Sequence, residues 1–239
     1  LTSPGGIRSG REQAALIRIL TNEFPPRTGG ISTYCVEIAR ALHALGEDVV
    51  VTCPEPAGKG PPVAFQTEFF RSRGTQDPDD LLRIGKIIRA HLRTTPDAAL
   101  FLAEPAAIRA ALLFQHTLPL AKTPLWIAFH GTDFLRLSAN PIWRGLLQRL
   151  IRFADRIVVN SNYTANLVRG GTGGLEPPLV VVKPCLPEGW GRSLERLERT
   201  RTESLQLLTV ARLHPRKGQL EVIEALSSLP PETPPLHYR

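Results

Sequence analysis

Hydrophobic positions follow two rhythms along this chain, and the two take turns. Short apolar runs at Leu16-Ile17-Arg18-Ile19-Leu20, Val49-Val50-Val51-Thr52, Ala98 to Ala103, Leu125 to Phe129, Arg156 to Val159 and Leu179 to Val182 predict buried parallel strands. Val63 to Phe70 predicts another. Between them the apolar positions switch to helical spacing. Ile31, Cys35, Ile38, Leu42 and Leu45 line one face and stop at Gly46, a C-cap residue. Leu81, Ile84, Ile88 and Leu92 line a second helix over Asp79 to Leu92. Further helices are predicted over Ala106 to Gln115, Pro141 to Phe153 with proline in its first turn, and Tyr163 to Val168. The alternation implies an α/β fold: a Rossmann-like parallel sheet with helices on both faces. Ligands of such sheets bind beyond the carboxyl ends of the strands, which directs attention to the loops after Leu20, Phe129 and Val159.

The pattern also divides the chain. Residues 1–13 are polar and read as a disordered tail, and residues 14–184 carry the complete β/α series. Residues 185–203, charge-rich from Arg192 to Arg201, read as a linker. Residues 204–239 open a second series, with a strand from Leu205 to Ala211, a helix from Gly218 to Ser228 built on Leu220, Ile223 and Leu226, and a loop from Pro230 to Pro235. One strand and one helix do not make a stable domain, so this piece is expected to be the truncated start of a second Rossmann-like domain.

Composition narrows the function. Of 239 residues 42% are hydrophobic and 21% charged, the balance of a soluble globular chain, and no apolar run reaches the roughly 20 residues of a membrane span. The start lacks the apolar stretch of a secretory signal, so the expected location is cytoplasmic. The net charge of +7 rests mostly on arginines scattered over many helices, without the interleaved aromatics of a nucleic-acid surface. Phosphates of a small substrate or of lipid head groups suit that distribution. Cys35, Cys53 and Cys185 fit no zinc or redox spacing and read as reduced structural thiols.

Three segments carry candidate chemistry. Between the first strand and first helix lies Pro25-Pro26-Arg27-Thr28-Gly29-Gly30-Ile31. Two glycines there let a ligand approach the backbone closely, and the helix aims its N–H groups at the same place. After the strand ending at Phe129 comes His130-Gly131-Thr132-Asp133. His130 is placed to bond a sugar hydroxyl or share a proton, and Asp133 to orient an acceptor hydroxyl. In the second series Arg212, Lys217 and Gly218 lie between strand and helix, a fork, a point charge and a helix start that suit a diphosphate. Asp77-Pro78-Asp79-Asp80 has the spacing of a metal motif but directly precedes a helix, where aspartate is a favoured cap. No metal site is predicted. The helix Pro141 to Phe153 mixes Arg144, Arg149 and Arg152 with an apolar stripe, which suits either an anionic membrane or its own sheet.

In order and spacing these segments resemble the retaining glycosyltransferases of family four, which have the GT-B fold. The resemblance runs from Leu16 to Leu229. It is carried by Asn22 to Pro26 with Gly29-Gly30-Ile31, by His130 to Asp133, by Ala154 to Ser161, by Val210 to Leu213 with Lys217-Gly218, and by Val222 to Leu226. It implies metal-independent transfer of a hexose from a nucleotide-sugar donor to a glycan, lipid or small-molecule acceptor, with no cofactor. It implies further that the first domain holds the acceptor and the second the donor. Gly29 and Gly30 would then lie against the donor phosphate and sugar, His130 against the sugar, and Arg212 and Lys217 against the diphosphate. Ala211 departs from the family's glycine, and Val182 to Pro187 departs from its Pro-Asn-Gly turn. The family's paired downstream glutamates are not in this sequence, which predicts a fragment inactive alone. The alternatives are a non-catalytic acceptor- or lipid-binding module of the same fold and a nucleotide-sugar epimerase of GT-B architecture.

Overall fold

The computed structural model describes residues 16–58, 60–74, 77–185, 204–211, 213–231 and 233–239. The expected tail at 1–13, the linker beyond Cys185, and Arg212 lie outside the described residues. The chain falls into two units, Leu1–Pro187 and Glu188–Arg239.

The first unit is a seven-stranded, wholly parallel sheet in the order β3-β2-β1-β4-β5-β6-β7. Its strands are β1 Leu16–Leu20, β2 Asp48–Pro54, β3 Gln66–Phe70, β4 Ala99–Leu102, β5 Leu125–Phe129, β6 Arg156–Val159 and β7 Leu179–Val181. Every residue of β4 is buried, as a central strand covered on both faces requires. On one face, Cys35, Val36 and Ala39 of helix α1 (Gly30–Ala44) pack on Ile17, Ile19, Val49, Val51 and Phe101. The other face is covered by α2 (Pro78–Thr94), α3 (Pro105–Phe114), α4 (Thr132–Ala139), α5 (Pro141–Ile151) and α6 (Asn162–Gly171). Because β1 steps outward to β2 while β4 steps outward to β5, the order reverses between β1 and β4. That is the switch point at which such sheets open a crevice at their carboxyl edge.

The caps follow the sequence. Asp77 accepts from the Asp79 N–H at 2.8 Å, so the acidic triplet begins α2 as a cap. Proline occupies the first turn of α2, α3 and α5. One helix differs from expectation. The stretch after His130 is not a loop: Thr132–Ala139 forms α4, which buries Phe134 and Leu137 and abuts α5 at Asn140.

The second unit is a small βαβ. Strand β8 (Leu205–Leu207) leads through a 3-10 turn at Pro215–Lys217 to α7 (Gln219–Ser227), and β9 (Leu236–Tyr238) returns parallel to β8. Sequence reasoning placed one strand here. The second is only three residues long and follows a proline-rich loop, too short to show a period.

Candidate active site

The register brings the candidate segments to one edge. Leu20 of β1 pairs with Leu102 of β4, and Leu102 pairs with Ile127 of β5. The chain after β1, after β4 and after β5 therefore emerges at the carboxyl edge of three adjacent strands. Gly29 and Gly30 follow the first, Glu104 the second and His130 the third.

The glycine pair forms the entrance to α1. Gly29 is its N-cap, with extended backbone, and Gly30 is its first helical residue; no side chain caps this end. Gly29 has φ 162°, which any residue adopts, and a Cβ on it would meet Glu23 Oε2 at an ordinary 3.6 Å. A Cβ on Gly30 would meet nothing within 4 Å. Neither packing nor backbone geometry thus demands glycine at either position. What the pair does is leave the N–H end of α1 bare and exposed, where its dipole favours an anion. Two buried polar side chains belong to the same stretch. Neither the Asn22 amide nor the Ser32 hydroxyl has a hydrogen-bond partner among the described residues.

His130 is held at four points. Its Nε2–H donates to the Ala103 carbonyl at 3.0 Å, which leaves Nδ1 as the acceptor in the neutral ring. Its ring meets Tyr34 edge-on at 5.1 Å between centroids. Its N–H donates to both Asp133 carboxylate oxygens at 3.0 Å, and its carbonyl accepts from Asn160 Nδ2 at 3.4 Å. Gly131 follows at φ 104°, a left-handed value that a side chain would strain, and a Cβ there would press on Thr164 Oγ1 at 3.4 Å. Here the fold does require glycine.

Asp133 was expected to face the cleft on a loop. It sits in the first turn of α4, 8% exposed, and its carboxylate accepts the N–H groups of His130 and Phe134. The geometry therefore gives it the work of fixing His130.

Sequence reasoning missed Glu104. It is 1% exposed and caps α3, accepting from Ala106 N at 2.7 Å and Ala107 N at 2.8 Å. Burial raises its carboxyl to about 7 despite those two donors, and the charge of Glu23 adds to the rise. The dipeptide Glu104-Pro105 at a strand end was its one signal, the pattern of a cap before an N-terminal proline. Burial also pushes Cys35 and Cys53 up to about 12, which keeps both as inert thiols.

In the second unit Lys217 closes the 3-10 turn and Gly218, at φ 72°, opens α7. Lys217 is exposed. Among the described residues no group of three or more His, Cys, Asp or Glu is arranged to hold a metal ion.

Residues 28–186 match the model of Glycosyltransferase Family 4. The chain belongs to that family. Like the family-four domain it contains, it has relatives among curated enzymes and solved structures. It is 26% identical over 230 residues to the GDP-mannose-dependent alpha-(1-6)-phosphatidylinositol monomannoside mannosyltransferase of Mycobacterium tuberculosis. That match covers 89% of this chain and 57% of the relative, so the chain spans little more than half the length of the curated relatives it matches. Its fold is similar to that of Anabaena HepE, solved with UDP and glucose, at a TM-score of 0.56 and 16% identity over 94% of this chain and 60% of that one. It is also similar to a glycosyltransferase from Rickettsia africae, at 0.51 and 16% over 90% and 57%. At that identity the structures establish the fold of this family-four chain, a Rossmann-like sheet of the GT-B kind.

Proposed function

We propose that this family-four chain works in a retaining, metal-independent hexosyltransferase that takes a nucleoside-diphosphate sugar and delivers its sugar to a glycan, lipid or small-molecule acceptor. A mannosyl donor is the first to test, since the mycobacterial relative is named for GDP-mannose. The observation that carries the reading is the glycine pair. The fold has no use for glycine at 29 or 30, and its effect is to open the end of α1 beside His130 at the switch point. In this reading the α1 amides receive phosphate and sugar oxygens, and His130 accepts a sugar hydroxyl at Nδ1. Arg212, Lys217 and the α7 end at Gly218 neutralise the departing diphosphate. The acceptor lies at a membrane's cytoplasmic face, drawn by the exposed Arg144, Arg149 and Arg152.

The test is Gly30→Ala in the full-length protein. Alanine suits a helical position better than glycine by up to about 1 kcal/mol, so Tm holds or rises. A methyl group over the bare amides keeps the donor out of place, and turnover falls at least about tenfold. Full turnover by the alanine variant contradicts the reading.

A further inference from the structure

We propose that Tyr34 is a positioning residue for sugar transfer: its ring, carried by α1, bears on the His130 ring and holds it in one plane at a set distance from the amide end of the same helix. The proposal rests on the reading of the carboxyl edge as a transferase site. The Nε2–H bond to the Ala103 carbonyl pins one atom of the half-buried imidazole. The outer torsion of a histidine is soft, so a ring pinned at one atom still turns and its free Nδ1 turns with it. The Tyr34 ring supplies the second restraint. Its centroid lies 5.1 Å from that of His130 and the two planes meet at 87°, the edge-to-face arrangement that aromatic rings favour.

The mount of that ring is rigid. Cys35, Val36 and Ala39, on the same helix, are buried against the sheet, and Tyr34 itself is 7% exposed. Tyr34 is the fifth residue of α1, about 6 Å along the helix axis from Gly30. One helix thus carries the bare amides at its end and, a turn further in, the side chain that bears on His130. The amides and Nδ1, which in the proposed reaction receive different oxygens of one donor, are held in register by a single element. Aliphatic side chains fill the neighbouring apolar positions of α1 at Ile31, Ile38 and Leu42, so the core alone does not call for a flat ring. The Tyr34 hydroxyl lies 3.5 Å from the Val182 carbonyl, a long contact, which leaves the ring as the part that restrains. Buried as it is, Tyr34 acts through His130.

The experiment compares Tyr34→Leu and Tyr34→Phe with wild type in the full-length protein, reading donor kinetics and the His130 imidazole nitrogen chemical shifts. Leucine fills the core position and suits a helix, but it offers His130 no ring. The expected result is a folded protein whose kcat falls at least about tenfold while donor KM stays within about threefold, the signature of lost alignment and not of lost binding. A ring that turns breaks its Nε2–H bond part of the time, so the His130 shifts of this variant should move from one fixed tautomer toward an average of two. Tyr34→Phe keeps the ring and gives up only the hydroxyl. It should hold kcat within about twofold of wild type and keep the wild-type tautomer. Wild-type kcat in Tyr34→Leu overturns the proposal. A phenylalanine variant as slow as the leucine one overturns it too, since the ring would then not be what matters. If Tyr34→Leu fails to fold, Tyr34→Met takes its place, an unbranched side chain that fills the gap without a ring, and the same two outcomes decide. A wild-type protein that transfers no sugar with any donor, yet shows a fixed tautomer that is lost in Tyr34→Leu and kept in Tyr34→Phe, refutes the functional reading and leaves Tyr34 standing as the restraint on His130.

Discussion

His91 shows how much a single buried side chain can hold. At 3% exposure on α2, its Nδ1 accepts from Arg18 Nε of β1 at 3.1 Å while its Nε2–H donates to the Ala98 carbonyl at 3.1 Å. Arg18 also donates to Thr52 of β2 at 2.7 Å and pairs with Glu68 of β3. Burial chiefly, and then the Arg18 charge, lower the His91 pKa below its ordinary 6.5. The unfolded chain therefore binds the proton more readily, and the stability due to neutral His91 is present above about 6.5 and lost as pH falls below it. Urea midpoints of wild type should drop as the pH falls below about 6.5, and those of His91→Gln should drop less. Parallel curves would count against this assignment. At the same scale, His130 was legible in the sequence because it directly follows an apolar strand. Glu104, Asn22 and Ser32 were not, since one buried polar position leaves no periodic trace. Nor does a sequence show which way a carboxylate turns: Asp133 turns back on the His130 N–H.

Helix α5 shows what an apolar stripe is for. Leu147, Leu150 and Ile151 are buried in the core beneath the sheet, and Trp143 and Leu146 pack against it. The outward side keeps Arg144, Arg149, Arg152 and Ile142, which is 75% exposed. With its apolar stripe already committed to the core, the membrane attraction proposed for this element rests on charge alone. The full-length protein should sediment with anionic vesicles at low salt, leave them as the ionic strength approaches about 0.5 M, and ignore neutral vesicles. Equal sedimentation with neutral vesicles would contradict the charge mechanism. Element by element, the strands were legible because Val49-Val50-Val51 and its counterparts are β-branched and apolar on both faces. Helix α4 escaped because its short stripe of Phe134 and Leu137 runs straight into α5 across Asn140. Strand β9 escaped because three residues carry no alternation.

As a whole molecule the chain has two units of unequal size. Its larger unit is a seven-stranded parallel sheet with helices on both faces, and its carboxyl edge gathers Gly29, Gly30, Glu104 and His130 from three neighbouring loops. Among the described residues no helix is long and apolar enough to cross a membrane. The topology was legible from the alternation of periods, because parallel strands force long crossovers and helices fill them. In the second unit Lys217 and Gly218 were legible as a basic stretch before a helix, and they stand at the end of the 3-10 turn and the start of α7. The central claim is that this edge is where a sugar leaves a nucleoside diphosphate. The most direct measurement is nucleoside diphosphate release by the full-length protein, run with GDP-mannose and other nucleotide sugars, for wild type beside His130→Ala. The account predicts release by wild type with at least one donor, and release at least about a hundredfold slower from a His130→Ala variant of unchanged Tm. Equal release by the two proteins, or none from wild type with any donor and acceptor, would contradict it.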